Sequence, residues 1–345
     1  MAEPFLTTVV GSMPKPPWLY SQVSFDSGET DHHGHGGDWA LQGPELAEAQ
    51  DDATRLVIRD QERAGIDIIS DGEQRRKSYM TYITTRLEGM DYETLGEKWI
   101  RDGRRLAVVG RCTGPVRRKG PILDDHLRFL MSHAAVPVKI TLPGPMTVVD
   151  SVADAFYGNE RTFAMAIAEA INEEARALDM LGPAVIQFDE PVFSRYPEKV
   201  ADWGIEALDR CLEGLNAQTA VHVCYSYPIA GLERPIKPSY PAILAELEKS
   251  KVDQLALEFE APGLDPALLT NCPSKTVLFG CIDNGNEGVE SPEHIADRLL
   301  AAARHHPPEM IQAAPDCGLV TLTGPVARAK LAAMVEGARM ARERV

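Results

Sequence analysis

The chain is short of the features that would place it in several broad classes. It has 345 residues but only 6 cysteines, too few for a disulfide scaffold, so any cysteine of interest is more naturally a ligand or nucleophile. No apolar run approaches 18 residues, and no positively charged, apolar leader opens the chain. Both point to a soluble, unprocessed, cytoplasmic protein with no membrane partner. Basic charge is also short: the formal net charge is −16, which argues against nucleic acid or an anionic membrane as a partner. There is no low-complexity tract and no linker, so residues 1–345 read as one domain. What is present is core material, at 44% hydrophobic and 25% charged residues.

That core material is arranged as a repeat. Short apolar runs rich in β-branched residues fall at Leu6–Val10, Ile66–Ser70, Val138–Leu142, Ala184–Asp189, Ala220–Cys224, Gln254–Glu258, Thr276–Cys281 and Met310–Ala314. Ala184-Val185-Ile186-Gln187-Phe188 is nearly continuous in hydrophobicity, as suits a strand buried on both faces. Helical patterns fill the gaps, among them Pro44–Ala64, Glu160–Leu181, Trp203–Gly214, Tyr240–Lys249, Ser291–Arg304 and Thr323–Arg342. Strand and helix alternating about eight times predict an α/β fold, a (β/α)8 TIM barrel in a single domain. Two insertions interrupt it, after the first and second strands. Ser21–Leu41 is polar and glycine-rich, and Asp91–Pro121 is basic with a small hairpin expected around Leu106–Val109.

Chemistry in such barrels gathers at the carboxyl ends of the strands. There the sequence places Gly11-Ser12, Asp71-Gly72-Glu73, Asp189-Glu190, His222-Val223-Cys224, Glu258, Asp283 and Asp316-Cys317-Gly318. His-x-Cys on a strand puts both side chains on one face. His222, Cys224, Glu258 and Cys317 therefore form a candidate set of N, S and O donors of the kind that suits zinc. Read on the residues alone, Cys224 and Cys317 are equally well buried apolar cysteines, and His222 a hydrogen-bonded core histidine.

Several segments carry the resemblance that separates these alternatives. They are Thr8-Val9-Val10-Gly11-Ser12, Ser70-Asp71-Gly72-Glu73, Leu142-Pro143-Gly144-Pro145-Met146-Thr147 and Ile186-Gln187-Phe188-Asp189-Glu190-Pro191, then Val221-His222-Val223-Cys224-Tyr225, Leu257-Glu258 and Pro315-Asp316-Cys317-Gly318. In this order, from Thr7 to about Arg342, the chain resembles the C-terminal catalytic barrel of the cobalamin-independent methionine synthases, and in particular their short core members. The resemblance implies a zinc site at His222, Cys224, Glu258 and Cys317. It also implies a homocysteine pocket, with Gly11 and Ser12 on the substrate carboxylate and Glu73 and Asp189 on its ammonium. Asp189, Glu190 and Asp283 are the candidate catalytic carboxylates. The implied reaction is zinc-dependent methyl transfer to the thiol of homocysteine, giving methionine.

The donor side departs from the family pattern. Ser151 stands where folate-using members carry a tryptophan, and Gly285 where they carry a histidine, while Asp283 is retained. A hydroxyl offers no stacking surface. The reading therefore keeps both donors open, with methylcobalamin or a corrinoid protein as the leading alternative to methyltetrahydrofolate and Tyr225 or Trp39 able to compensate for either loss. The alternative activity is zinc-dependent alkyl transfer to another thiol, such as the opening of an epoxide; Glu73 and Asp189 argue against it. The histidines His32, His33 and His35 in the first insertion read as a solvated loop, and Arg104, Arg105, Arg117, Arg118 and Lys119 as a solvated hairpin face.

Overall fold

The computed structural model describes residues 3–22, 37–100, 105–225 and 239–345. The strands in chain order are β1 (Leu6–Thr7), β2 (Tyr20–Gln22), β3 (Gly37–Trp39), β4 (Leu87–Ile100), β5 (Arg105–Arg118), β6 (Lys139–Pro143), β7 (Ala153–Asp154), β8 (Val185–Asp189), β9 (Gln218–Val223), β10 (Gln254–Leu257), β11 (Thr276–Gly280) and β12 (Ile311–Ala314). Seven of them form a curled parallel sheet in the order β1-β12-β11-β10-β9-β8-β6. β6 and β8 are buried along their whole length, which is why their sequences show continuous hydrophobicity rather than alternation.

The eighth expected strand, Ile66–Ser70, lies between the two edges of this sheet but joins each through a single bridge, Thr8 to Ile68 and Ile69 to Val138. Side chains take over where the ladder is thin. Asp67 accepts from Thr7 N at 2.7 Å and Thr7 Oγ1 at 2.8 Å. The Ser70 hydroxyl donates to Gly11 O at 2.8 Å. The Gln61 amide mimics a neighbouring strand, accepting from Ser70 N at 3.0 Å and donating to Ser70 O at 2.9 Å. The sequence pattern therefore locates the segment correctly, and side chains supplement its backbone bonds to Thr7 O, Pro137 O and Lys139 N.

The helices follow from local chemistry. Gly43–Ala64 ends where Gly65 turns left-handed at φ 86°, its N–H reaching Gln61 O and Glu62 O. Asn159 and Ser291 cap the helices Glu160–Asp179 and Pro292–Ala302 through Thr162 N and His294 N. Among the helices not foreseen are Asp124–His133 and the short Pro145–Ser151. None of the described helices is long and apolar enough to cross a membrane.

The second insertion is larger than expected. In place of a small hairpin around Leu106–Val109, β4 and β5 run 14 residues each as an antiparallel pair, with β7 added along β5. Register shifts between Glu88 and Met90 and between Asp91 and Gly96 break the alternation that would have revealed β4 in the sequence. Arg118 does not belong to a solvated face. Its guanidinium donates to Glu174 Oε2 at 2.6 Å, and Glu174 is 1% exposed. The same carboxylate accepts from Ile122 N at 3.1 Å and Leu123 N at 2.7 Å, pinning the hairpin exit to the helix Glu160–Asp179. His32, His33, His35 and Arg104 lie outside the described residues.

Removal of Glu174 would leave two buried amides and a guanidinium without their acceptor. Glu174→Ala is expected to lower unfolding free energy by about 3 kcal/mol. Urea unfolding measures this, and an unchanged midpoint would show that the hairpin is not anchored here.

Candidate metal centre and substrate pocket

Register sets the site. Asp189 pairs with His222 across β8 and β9, and His222 pairs with Ala256 across β9 and β10. His222 and Cys224, two residues apart, point to the inside of the curled sheet from β9 and its carboxyl end. Glu258 follows β10 directly, and Cys317 lies three residues past β12. All four are buried, at 4%, 3%, 0% and 4% exposure in chain order. Their ligand atoms all lie within 4.8 Å of one another.

The geometry discriminates between a metal site and a chance cluster. Two sulfurs at roughly 2.3 Å from a tetrahedral zinc stand roughly 3.8 Å apart, and a sulfur and an imidazole nitrogen roughly 3.5 Å apart. Here the Sγ atoms of Cys224 and Cys317 are 3.7 Å apart, and Cys317 Sγ is 3.5 Å from His222 Nε2. His222 Nδ1 is 3.2 Å from Ala256 O and donates to it, which leaves the Nε2 lone pair facing the other donors. Glu258 Oε1 accepts from Tyr225 N at 2.8 Å. The cluster also favours positive charge at its centre. Burial works against a charged imidazole at His222, yet Cys224, Asp189 and Glu258 outweigh it and raise the pKa to about 9. The donor set fits zinc in type and spacing.

A cavity open to solvent lies above this cluster. Three of the donors, His222, Cys224 and Cys317, form part of its wall. The residues expected to hold substrate, Gly11, Ser12, Glu73 and Asp189, line it too. Two glycines are required for this closeness. A Cβ on Gly11 would sit 2.9 Å from Glu73 Oε1, and one on Gly318 would collide with the Ser12 hydroxyl. Glu73 itself adopts φ 55°, unusual for a residue with a side chain, directly after Gly72 at φ 61°. Thr141 Oγ1 donates to Glu73 Oε1 at 2.9 Å.

The neighbouring arginines hydrogen-bond other carboxylates, although Arg76 lies close enough to feel the charge of Glu73. Arg75 bonds Asp51. Arg76, 1% exposed, bonds Asp71 through Nη2 at 3.1 and 3.3 Å and Thr141 through Nη1. Burial would raise the Asp71 pKa, but Arg76 and His126 overcome it and hold the carboxyl well below the usual range. At Asp189 burial prevails and the pKa rises to about 6, opposed by His222 and reinforced by Glu73. Two carboxylates share this side of the cavity, an arrangement that favours an incoming cation.

Glu190 and Asp283 sit elsewhere. Glu190 is 0% exposed and does not line the cavity. Its oxygens accept from Met146 N at 2.8 Å, Thr147 N at 2.9 Å and Thr147 Oγ1 at 2.7 Å, capping the helix Pro145–Ser151. Burial lifts its pKa to about 8 despite these bonds. Gly144 makes room for it, since a Cβ there would strike the carboxylate. Asp283 accepts from Gly285 N at 2.7 Å within the loop after β11 and is likewise absent from the lining. Sequence reading missed Tyr79, which lines the cavity. Burial first, and Asp189 and Cys224 next, push its phenol well above the ordinary value, so it stays a protonated donor. The segment between Glu73 and Tyr79 is not a regular element, so no periodicity in the sequence pointed to it.

Two thiols, an imidazole and a carboxylate thus stand together at the carboxyl ends of parallel strands, a cluster able to hold a metal ion beneath a pocket with paired carboxylates. Residues 5–340 match the family described as the cobalamin-independent synthase catalytic domain. A methionine synthase of Sulfolobus acidocaldarius is 32% identical over 338 residues, 98% of this chain and 92% of that protein. One from Saccharolobus solfataricus is 30% identical, covering 98% and 95%. A B12-independent methionine synthase from Shewanella sp. W3-18-1, solved in complex with selenomethionine, superposes with a TM-score of 0.89 at 35% identity over 99% of this chain and 98% of that one. A putative vitamin-B12 independent methionine synthase from Listeria monocytogenes, at 18% identity and TM-score 0.72, shares the fold. The chain belongs to the cobalamin-independent methionine synthase family and is a methyltransferase. The family's description gives no support to the corrinoid donor inferred from Ser151 and Gly285.

Below the cavity, Lys139 is 1% exposed and donates to Val9 O at 2.7 Å. Burial draws its pKa down to about 7, against the pull of Asp189. An ordinary lysine titrates near 10.4, so between about pH 7 and about pH 10 the unfolded chain binds the extra proton and stability rises with pH. Urea unfolding of Lys139→Met should lack this slope. The stability difference should move in favour of the wild type by about 2 kcal/mol from about pH 7 to about pH 9. A difference independent of pH would place the lysine's charge outside the buried interior.

Proposed function

We propose that the chain methylates the thiol of homocysteine to give methionine, with zinc held by His222, Cys224, Glu258 and Cys317. The observation that carries this reading is the match of the sulfur–sulfur and sulfur–nitrogen separations, 3.7 and 3.5 Å, to a tetrahedral zinc site facing the cavity. Zinc bound there would supply thiolate character at neutral pH to a thiol whose own pKa is near 8.5. The selenomethionine complex of the Shewanella relative supports an amino-acid pocket, since that ligand is the selenium analogue of the product.

The chain's own residues bind and orient. Glu73 and Asp189 accept hydrogen bonds from the substrate ammonium, and its approach draws Asp189 back toward the ionised form. Ser12 and the backbone at Gly11 hold the carboxylate. With the amino-acid end fixed between these groups, the thiol is directed at the donor cluster beside His222, one strand away from Asp189. Glu190 acts by fixing the helix Pro145–Ser151 rather than by touching substrate. Asp283 belongs to the donor side, on the loop after β11. Glu73 and Asp189 favour an amino-acid thiol over a sulfonate thiol, which would meet like charge there. The methyl donor is to be read from a panel of methyltetrahydrofolate mono- and polyglutamates, S-methylmethionine and methylcobalamin. The rest of the framework is proposed to be one (β/α)8 domain in a cytoplasmic enzyme, with Ile66–Ser70 completing the ring.

Cys317→Ser should lose bound zinc and homocysteine methylation together. Glu73→Gln should keep the metal and raise the homocysteine KM roughly tenfold or more, the loss expected when one charged hydrogen bond is removed. Metal analysis and steady-state kinetics check both. Full zinc and full activity in Cys317→Ser would sink the assignment.

A further inference from the structure

Three of the four metal donors lie beyond the regular sheet. β9 ends at Val223, β10 at Leu257 and β12 at Ala314, whereas the donors are Cys224, Glu258 and Cys317. The last backbone pair between β9 and β10 is Val223 with Leu257. Ladder hydrogen bonds therefore do not fix the spacing of these donors, and other contacts must.

The Ser194 hydroxyl donates to Cys224 O at 2.7 Å and Asp316 N to Ile282 O at 3.0 Å, and two buried side chains tie the strand ends to one another. The Tyr240 hydroxyl donates to Val223 O at 2.7 Å and accepts from Glu258 N at 3.2 Å. It stands between the carbonyl that separates His222 from Cys224 and the amide of the carboxylate donor, where a direct strand-to-strand bond would otherwise close. The phenol thus holds the two strand ends apart at a fixed distance. Tyr240 is 1% exposed and packs edge-on against Tyr225 with ring centroids 4.4 Å apart. Tyr225 N is the group that orients Glu258 Oε1.

Asp316 makes the second tie. Its carboxylate accepts from Phe259 N at 2.9 Å, Glu260 N at 3.0 Å and Ala261 N at 2.6 Å. It thereby joins the residue before Cys317 to the three residues after Glu258, across the end of β11. Gly280 permits the crossing, because a Cβ there would collide with the Asp316 carboxylate. Asp316 is 0% exposed and lines no part of the cavity.

We infer that Tyr240 and Asp316 are positioning residues that set the separation of the metal donors, Tyr240 between β9 and β10 and Asp316 between β10 and β12. The inference rests on the metal-site reading above. Neither residue touches metal or substrate; each acts on backbone that carries a donor. Such supports typically govern metal affinity by about ten- to a hundredfold.

The test uses the full chain and zinc as its probe. Zinc affinity is measured by chelator competition for wild type, Tyr240→Phe, Asp316→Asn and Cys317→Ser. The cobalt(II) forms are compared by visible ligand-field spectra, which report donor geometry. Tyr240→Phe is expected to bind zinc roughly ten- to a hundredfold more weakly with a shifted cobalt spectrum, while the unfolding midpoint of its metal-free form stays near wild type. Asp316→Asn should weaken binding in the same direction. A merely structural role for Tyr240 would lower the midpoint and leave the spectrum of the folded protein unchanged, which would overturn the inference. Wild-type affinity and spectrum in Tyr240→Phe would overturn it as well. If the wild type itself fails to bind zinc, or binds no better than Cys317→Ser, the metal-site reading falls instead. Should Asp316→Asn not fold, Tyr240→Phe alone decides.

Discussion

Side chains on a strand alternate with period two, so a slip of one residue would turn His222 and Cys224 from the inside of the sheet to its outside. Everything at the site depends on that register. Asp189 stands beside His222 because β8 and β9 pair as they do, and Ala256 O meets His222 Nδ1 because β9 and β10 do. The register is itself enforced by burial. β6 and β8 are covered on both faces, and displacing either would carry Phe188 or Leu142 out of the packing they share with the surrounding helices. The hydrophobic effect thus fixes a polar geometry that polar contacts alone would not hold.

The polar interior makes the arrangement costly as well as specific. Lys139, Gln187 and Glu190 are all fully or almost fully buried, and each has found a partner within the sheet or its loops. Gln187 bonds Val10 O at 2.7 Å and Asp189 Oδ1 at 2.8 Å, so the residue on the strand beneath the pocket also steadies one of its carboxylates. Groups like these contribute little net stability, and they raise the penalty for any other packing of the same chain.

Much of this was legible in the sequence because the signals were of the kinds that burial and period two create. Six of the seven ladder strands fell within a residue or two of their expected bounds, the first pairs only over Leu6–Thr7 instead of Leu6–Val10, and His-x-Cys followed by Glu258 and Cys317 proved to converge. What escaped has physical causes. β4 is polar, and its bulges break alternation, so Leu87–Ile100 carries no strand signature. Glu190 sits beside Asp189 in sequence and reads as its catalytic twin, yet neighbours on a strand end face opposite ways, and Glu190 became a helix cap. Tyr79, Tyr240 and Asp316 owe their places to tertiary contacts that no local spacing records. The donor side remained illegible because it rests on residues that differ from the family pattern, Ser151 and Gly285, and a missing side chain says what is not bound more readily than what is.

Glu73 has a wider meaning. Its backbone lies in the left-handed region that glycine, asparagine or aspartate enter with less strain, and a glutamate there costs about 1 kcal/mol. Folding alone would favour one of the smaller residues at this turn. A long carboxylate occupies it nonetheless, buried and reaching over the Cα of Gly11 into the cavity, and under the proposed function the demand of ligand recognition prevails there over that of the backbone. Residues of this sort, poor for the backbone and apt for a guest molecule, are where a protein's history of selection is written in its dihedral angles.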